Sequence, residues 1–393
     1  MQAQRDRQVT TIVFFVVLLI VLVTILAQLV WTRPAAPSPR ESAPDDAQTA
    51  EARVVRVIET GKIEIAPNQT QPFQRLELEI VSGPLRGERA QAEYGALDVA
   101  SADTLFRQGD HVLVTIAPRA EGGYALTITD VIRTGALALL GIVFVVFAVL
   151  VSGWKGVRAL IGLAISFVIL LGFVLPQILA GRDPVLVSVV GSFGVLAITL
   201  YLTQGWALKT HAALLGVCLT LILTGALAAL AVNLTRLSGF GSEEAMFLQT
   251  AGVAINLRGI LLAGMIVGTL GVLDDVIVGQ SSAVMELAAA NPALDWRALY
   301  RRAMNIGQDH IAATINTLVL AYVGAAMPVL LLFQIYPEPW AQTLNREMIA
   351  EEIVRTLVGS LGLIAAVPIT TFIASVWRAR TPRVPDSMPE ALS

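Results

Sequence analysis

The chain is predicted to be a mainly α polytopic membrane protein of about eight transmembrane helices, with a small extracytoplasmic β domain, an OB-like barrel or a sandwich, after the first helix. Three observations predict it. Hydrophobic residues make up 55% of the 393 residues and charged residues only 15%, with a mean hydropathy of +0.70, a balance outside that of soluble chains. Apolar runs recur at about the 20 residues a helix needs to cross hydrocarbon. Between the first run and the second, apolar and polar residues alternate over short stretches, the period of half-buried strands.

Residues 1–32 read as a cytoplasmic end and a signal-anchor helix, with the apolar run at residues 9–31 behind Arg5 and Arg7. That run exceeds the 7–15 residues of a signal-peptide core and no small-x-small site follows it, so an uncleaved anchor is expected rather than a signal peptide. Residues 33–50, with "RPAAPSPRESAPDDAQ", form a Pro/Ala/Ser-rich linker, extended by composition. Residues 51–133 are the extracytoplasmic β domain, where "ARVVRVIE", "QRLELEIVSG", "DHVLVTIAP" and "YALTITDVI" are separated by Gly, Pro and Asp. About five or six strands fit this length. His111 follows "QGD" at a strand start without other ligand types at metal spacing, and reads as an exposed structural residue.

Residues 134–377 form a transmembrane domain of about seven helices, at 134–152, 157–180, 184–203, 209–232, 259–279, 311–333 and 353–376, and residues 378–393 a cytoplasmic tail. Orientation follows from the basic residues of short loops and helix ends. Arg5, Arg7, Lys155, Arg158, Lys209, Arg297, Arg301, Arg302, Arg378, Arg380 and Arg383 fall on one side, against Arg182, Arg236, Arg258 and Arg346 on the other. Both termini are therefore expected in the cytoplasm and the β domain outside.

Composition also narrows function. A net charge of −3 gives no reason to expect nucleic acid. The single cysteine, Cys218, permits neither an intrachain disulfide nor a thiolate cage. There are three histidines and no Gly-rich phosphate loop, HExxH or GxSxG, so no catalytic residue is assigned, no cofactor is expected, and an enzyme is the less favoured class.

Within the apolar stretch "GTLGVLDDVIVGQ" stand two adjacent carboxylates, Asp274 and Asp275. An aspartate near a bilayer centre costs roughly 2.5–3.5 kcal/mol on insertion scales, so such residues face protein or water. Neighbours on a helix point about 100° apart, which keeps this pair from being an aspartyl dyad by itself. An intramembrane hydrolase would need a second acid opposite Asp275. Gly264, Gly268, Gly271 and Asp275 share one face, which reads as a close-packing surface with Asp275 pointing into the bundle. By the orientation above, both acids are expected in the last turns of their helix.

The following helix brings Asp309 and Asn316 seven residues apart on one face, joined by Asn305 if it begins early. Asp309 reads either as an N-cap after Gly307 or as a functional acid, and His310 as structural or interfacial rather than a proton carrier. The intervening "SSAVMELAAANPALDWRALYRRAMNIG" reads as an amphipathic stretch along the cytoplasmic face, placing Glu286 near the acids. On the outer side Glu243, Glu244, Glu347, Glu351, Glu352 and Arg355 read as interfacial ion pairs, Glu351 with Arg355 at i,i+4.

The segments "GVLDDVIVGQSSAVMEL", "IGQDHIAATINTLVLAYVGAAMPVLLL" and "WKGVRALIGL" resemble the hallmark segments of the YibE/F-like family of bacterial multi-pass membrane proteins, over roughly residues 120–375. The resemblance implies an integral membrane protein of a kind regarded as permeases, and names no cargo. The expectation is a permease or ion-coupled transporter whose pathway is lined by Asp274, Asp275, Gln280, Asp309 and Asn316. Oxygen-rich, sulfur-free ligands suit a proton or a hard cation. Membrane lipids and an envelope protein at the β domain are the other expected partners. The alternative is a non-transporting envelope receptor or assembly scaffold whose polar cluster is structural.

Overall fold

The computed structural model describes residues 48–66, 69–96, 105–118, 124–250 and 255–380. The anchor at 9–31, residues 33–47 of the linker and the tail from residue 381 lie outside the described residues. The chain divides into two compact units, one ending at Ala148 and one running on from Val149.

Five strands, β1 (Gln48–Ala66), β2 (Gln69–Ile80), β3 (Arg89–Tyr94), β4 (His111–Pro118) and β5 (Tyr124–Val131), close into a barrel in the order β1-β2-β3-β5-β4. Of the two alternatives read from the alternation, the barrel is the one formed. The long β1 makes closure possible, because it pairs antiparallel with both β2 and β4 and bends at register shifts between Val54 and Arg56 and between Val57 and Glu59. Inward positions alternate with outward ones, and Ala52, Val54, Leu76, Leu78, Ile80, Val112, Val114, Ile116 and Ile128 fill the interior with Phe106. Phe106 is held there by Gln74, whose Oε1 accepts from the Phe106 N–H at 2.8 Å and whose Nε2 donates to its carbonyl at 3.1 Å. His111 is exposed at the start of β4. The seam between β3 and β5 is thin, with Glu93 opposite Thr127 as its paired position.

The helical part begins with α1 (Thr134–Ile169), which runs through a π-helical turn at Leu170–Val174 into α2 (Leu175–Leu179). As one straight helix this 46-residue stretch would be about 69 Å long, twice the hydrocarbon thickness. It is broken at Gly153, whose φ of 56° and ψ of −136° lie outside the helical region and are reached readily only by glycine. The break falls between the expected spans 134–152 and 157–180.

Then follow α3 (Pro184–Gln204), α4 (Leu208–Leu234), α5 (Glu243–Thr250), α6 (Leu257–Ala290), α7 (Trp296–Ala325), α8 (Met327–Ile335), α9 (Trp340–Asn345) and α10 (Glu347–Arg380). Among the described residues five helices are long and apolar enough to cross a membrane, or six if α7 and α8, bent by 61°, form one broken span. The bend has a local cause. Pro328 stands at the start of α8, lacks the N–H that would continue the ladder, and is welcome at a helix start.

The core is made by α4, α6 and α10, with α3 and α7 against them. Leu196 and Leu200 of α3, Ala213 and Val217 of α4, Leu270, Leu273 and Ile277 of α6, and Ala366 of α10 form one apolar cluster. Close approach of the helices depends on small residues. A Cβ on Gly216 of α4 would lie 2.5 Å from Thr370 Oγ1 of α10, and one on Gly359 of α10 would lie 3.2 Å from Thr269 Cγ2 of α6. Gly362 of α10 lies in the same way against Thr224 of α4. Without a hydrophobic drive between helices in lipid, such contacts are what hold them.

Between α6 and α7 the expectation of an interfacial amphipathic stretch is overturned. The segment extends both helices, and only Asn291–Asp295 turn between them, with Asp295 capping α7 by accepting from the Ala298 N–H at 2.8 Å. Good helix formers across 281–290 and 296–307 let the hairpin lengthen at both arms.

Candidate functional site

The lengthened hairpin changes the surroundings of every acid. Asp274 and Asp275 sit at the middle of the 34-residue α6, not in its last turns, so the negative end of the dipole is too far away to act on them. Asp309 is likewise mid-helix in α7. Its N-cap reading is overturned, since Asp295 has that role.

The five residues expected to line one path fall into three places. Asp274 stands between Leu270, Leu273, Ile277 and Val278, the side of α6 that packs on α3 and α4. Its Oδ1 is buried without a hydrogen-bond partner. Asp275, one residue on and about 100° round, is exposed.

Gln280 is almost fully buried, and its amide nitrogen makes two hydrogen bonds. Its Nε2 donates to the Ala303 carbonyl at 2.8 Å and to Thr371 Oγ1 at 2.7 Å, and Gly307 lies against it where any side chain would collide. It ties α6, α7 and α10 together, a polar lock of the kind that hydrogen bonding across helices provides in membranes. Gln280→Ala is expected to lower stability by about 1–3 kcal/mol, from two lost buried hydrogen bonds and the space left behind, while flux per folded molecule persists. A melting curve beside a flux assay checks this.

Asp309 and Asn316 are exposed on α7, with Asn305, Gln308 and His310. Whether this polar row faces Asp275 follows from the seam between the helices. Val272 and Val276 of α6 share one apolar cluster with Met304, Ile311 and Leu318 of α7 and with Leu363 and Val367 of α10. One side of the seam is fixed by Gln280 against Ala303 and Gly307. The opposite side of α6 carries Gly268, Gly271, Asp275 and Gly279, and the opposite side of α7 carries Asn305, Gln308 and Ala312, because positions three, four and seven apart share a helix face. Counting back from Gln280 in an antiparallel hairpin at 1.5 Å per residue puts Asp275 level with about residues 308–312. The two polar rows therefore lie on the exposed side of the hairpin at one depth, with Asp309 and Asn316 turned further from the seam than Asn305 and Gln308. Glu286 lies eleven residues beyond Asp275, about 16 Å away, exposed and apart from it.

Among the described residues nothing packs on the expected packing face. Gly264, Gly268 and Gly271 are exposed, and a Cβ on any of them would meet no atom within 4 Å. The chain's own close packing lies on the other side of α6.

Glu347, Glu351 and Glu352 make structural contacts, in a different pairing from the one expected. Glu347 accepts from the Ser238 N–H at 2.6 Å, its hydroxyl at 2.7 Å and the Gly239 N–H at 2.8 Å, and Glu351 accepts from the Gly241 N–H at 3.2 Å. Arg355 pairs with Glu352 at 2.5 Å and not with Glu351. These carboxylates hold the loop after α4 onto α10, where Gly239 adopts a φ of 88°.

Two groupings were not singled out in the sequence. Tyr201 donates to or accepts from His211 Nδ1 at 2.8 Å, with the Trp206 ring stacked 4.9 Å from that of Tyr201. Buried hydroxyls of Ser188, Ser192, Thr220, Thr224, Ser360, Thr370 and Ser375 are without partners. Isolated Ser and Thr in apolar runs give no periodic signal, and His211 stands ten residues from its tyrosine. Among the described residues no group of three or more His, Cys, Asp or Glu is placed to hold a metal ion.

Residues 140–380 match the family described as YibE/F-like protein. No curated protein and no solved structure matches the chain.

Proposed function

The match spans more than half of the chain, which belongs to the YibE/F-like family of membrane proteins, and from that premise we propose a permease or ion-coupled transporter of the bacterial inner membrane. Its cargo or coupling ion is a proton or a hard cation. The observation that supports this is the carboxylate of Asp274, set mid-helix among Leu270, Leu273 and Ile277 with one oxygen buried and unpartnered. A structural acid is satisfied by its neighbours, as Glu347 is by Ser238 and Gly239. An acid left unsatisfied in a membrane helix is retained against several kcal/mol for what it binds or releases.

Measuring ion flux into proteoliposomes across protons, Na⁺, K⁺, Mg²⁺ and Ca²⁺ tests the reading. Flux above that of empty vesicles for at least one of these is expected, and none for any of them would overturn it. The reaction involves no covalent chemistry, so the protein is not an enzyme, and no cofactor takes part.

In this reading both termini are cytoplasmic and the barrel is outside. Gly153 separates two crossings and the α7/α8 pair is a broken one, giving seven crossings after the anchor. With Cys218→Ala as background, a cysteine at exposed Arg86 of the barrel is expected to react with an impermeant maleimide from outside. One at exposed Ala293, in the turn between α6 and α7, reacts only after the membrane is opened. Labelling of both from the same side would sink this topology.

The second reading, an envelope receptor or scaffold, draws on the thin β3/β5 seam, which is lined by Arg75, Gln91, Glu93, Tyr94, Tyr124 and Thr127. Tyr124 is half exposed there, and an envelope protein is the partner this surface suits.

A further inference from the structure

Exposed positions in the membrane-spanning helices are of two kinds. On α4 they are Leu215, Leu219, Ile222, Leu223 and Leu230, and on α10 Ile353, Leu357, Leu361, Ile364 and Phe372. Bulky apolar side chains of this sort belong against lipid tails. On α6 the exposed line is Gly264, Gly268, Gly271, Asp275 and Gly279, and on α7 it includes Asn305, Gln308, Asp309, Ala312 and Asn316. Carboxylates and amides at that depth are not left facing hydrocarbon. A row of glycines beside them is the surface on which another helix approaches closely.

We propose that this face is closed by the same face of a second copy of the chain, so that a polar groove forms between two protomers and each contributes to it. That the groove carries ions rests on the transporter reading, whereas the pairing does not. The face is self-complementary. Ionised Asp275 and Asp309 only accept hydrogen bonds, while Asn305, Gln308 and Asn316 also donate. A two-fold axis sets a patch against itself, so donors and acceptors are present on both sides of the contact. The glycine row leaves the room for that approach, since a Cβ at Gly264, Gly268 or Gly271 meets nothing within 4 Å among the described residues. The apolar run at 9–31 is the poorer occupant. Its polar residues are Thr10, Thr11, Thr24 and Gln28, and it carries no cation to answer two carboxylates.

Single cysteines at Gly268, Gly271, Ala312 and Asn316, placed in the full chain with Cys218→Ala and oxidised in native membranes with copper phenanthroline, test the pairing. A disulfide-linked species of twice the mass is expected at one or more of these four positions, and not with Leu219→Cys or Leu361→Cys from the apolar faces. Gly268→Leu is expected to convert a dimer in mild detergent to a folded monomer. The pairing is overturned by the absence of linked dimer at all four positions, or by dimer equally strong at the controls. It is equally overturned if the dimer survives Gly268→Leu, or if Gly268→Cys and Val17→Cys link within one chain of unchanged mass. Cross-linked dimer without flux removes the transporter reading alone, and flux without cross-linking removes the pairing alone.

Discussion

Asp274→Asn is expected to reduce ion flux to the level of empty vesicles while leaving thermal melting unchanged or raised. Asparagine keeps the size of the side chain and removes its charge and its exchangeable proton. In the folded protein Oδ1 has no partner to lose, so the substitution breaks no interaction that holds the bundle together. Burying the ionised form costs roughly 2.5–3.5 kcal/mol on insertion scales, and that cost disappears with the charge. If the acid carries the ion or its proton, function and stability therefore move independently, flux down and melting temperature level or up. If it is architectural, they fall together. Wild-type flux from Asp274→Asn in reconstituted protein would remove Asp274 from the pathway, whatever its melting curve shows. The same separation is expected for Asp309→Asn, whose side chain is exposed mid-helix and caps nothing.

How much of this was legible in the sequence depended on the kind of signal. The alternation in "DHVLVTIAP" placed Val112, Val114 and Ile116 on one face, and that face is the barrel interior. Barrel closure was not legible, because it depends on β1 bending to serve two neighbours, and bulges at Val54/Arg56 leave no mark in a period of two. The acids on α6 were found by their cost alone. Their surroundings were misread for a definite reason: a periodic stripe identifies a face and not the direction in which it points. In a soluble helix the apolar face is the buried one. In a membrane helix both faces are apolar, and the glycine row at Gly264, Gly268 and Gly271 reads the same whether its own chain covers it or not. The bulky line of Leu273, Ile277 and Val284 proved to be the covered side of α6. The same small-residue signal was present in α10, at Gly359, Gly362, Ala366 and Thr370, and there it does mark packing within the chain. Gln280 shows the complementary gap. It looked like a path residue beside the aspartates, yet its partners, Ala303 and Thr371, lie 23 and 91 residues away, and no local pattern announces them.

Gly216→Leu and Gly362→Leu are each expected to destabilise the helical unit by about 3 kcal/mol, at the upper end of what overpacking a tight core costs. The two glycines lie on opposite helices of one antiparallel seam, Gly216 of α4 against Thr370 of α10 and Gly362 of α10 against Thr224 of α4. At Gly216 a Cβ alone would come to 2.5 Å from Thr370 Oγ1 and 3.4 Å from its Cα. Rotation of the threonine moves Oγ1 away but leaves its Cβ, 3.3 Å from the same point, in place, so the crowding is not relieved fully. Even Gly216→Ala is expected to lower the melting temperature, and leucine at either position must force α4 and α10 apart. That separation would also loosen Ala213 and Val217 from Leu273 and Ile277 of α6. Gly268→Leu supplies the internal control, since it adds the same side chain to a helix of the same bundle at a position with nothing within 4 Å. The folded monomer should tolerate it. Melting of the three leucine variants in detergent, with each held as a monomer, decides the matter: equal stability across all three would mean that the α4/α10 seam is not where the bundle is held.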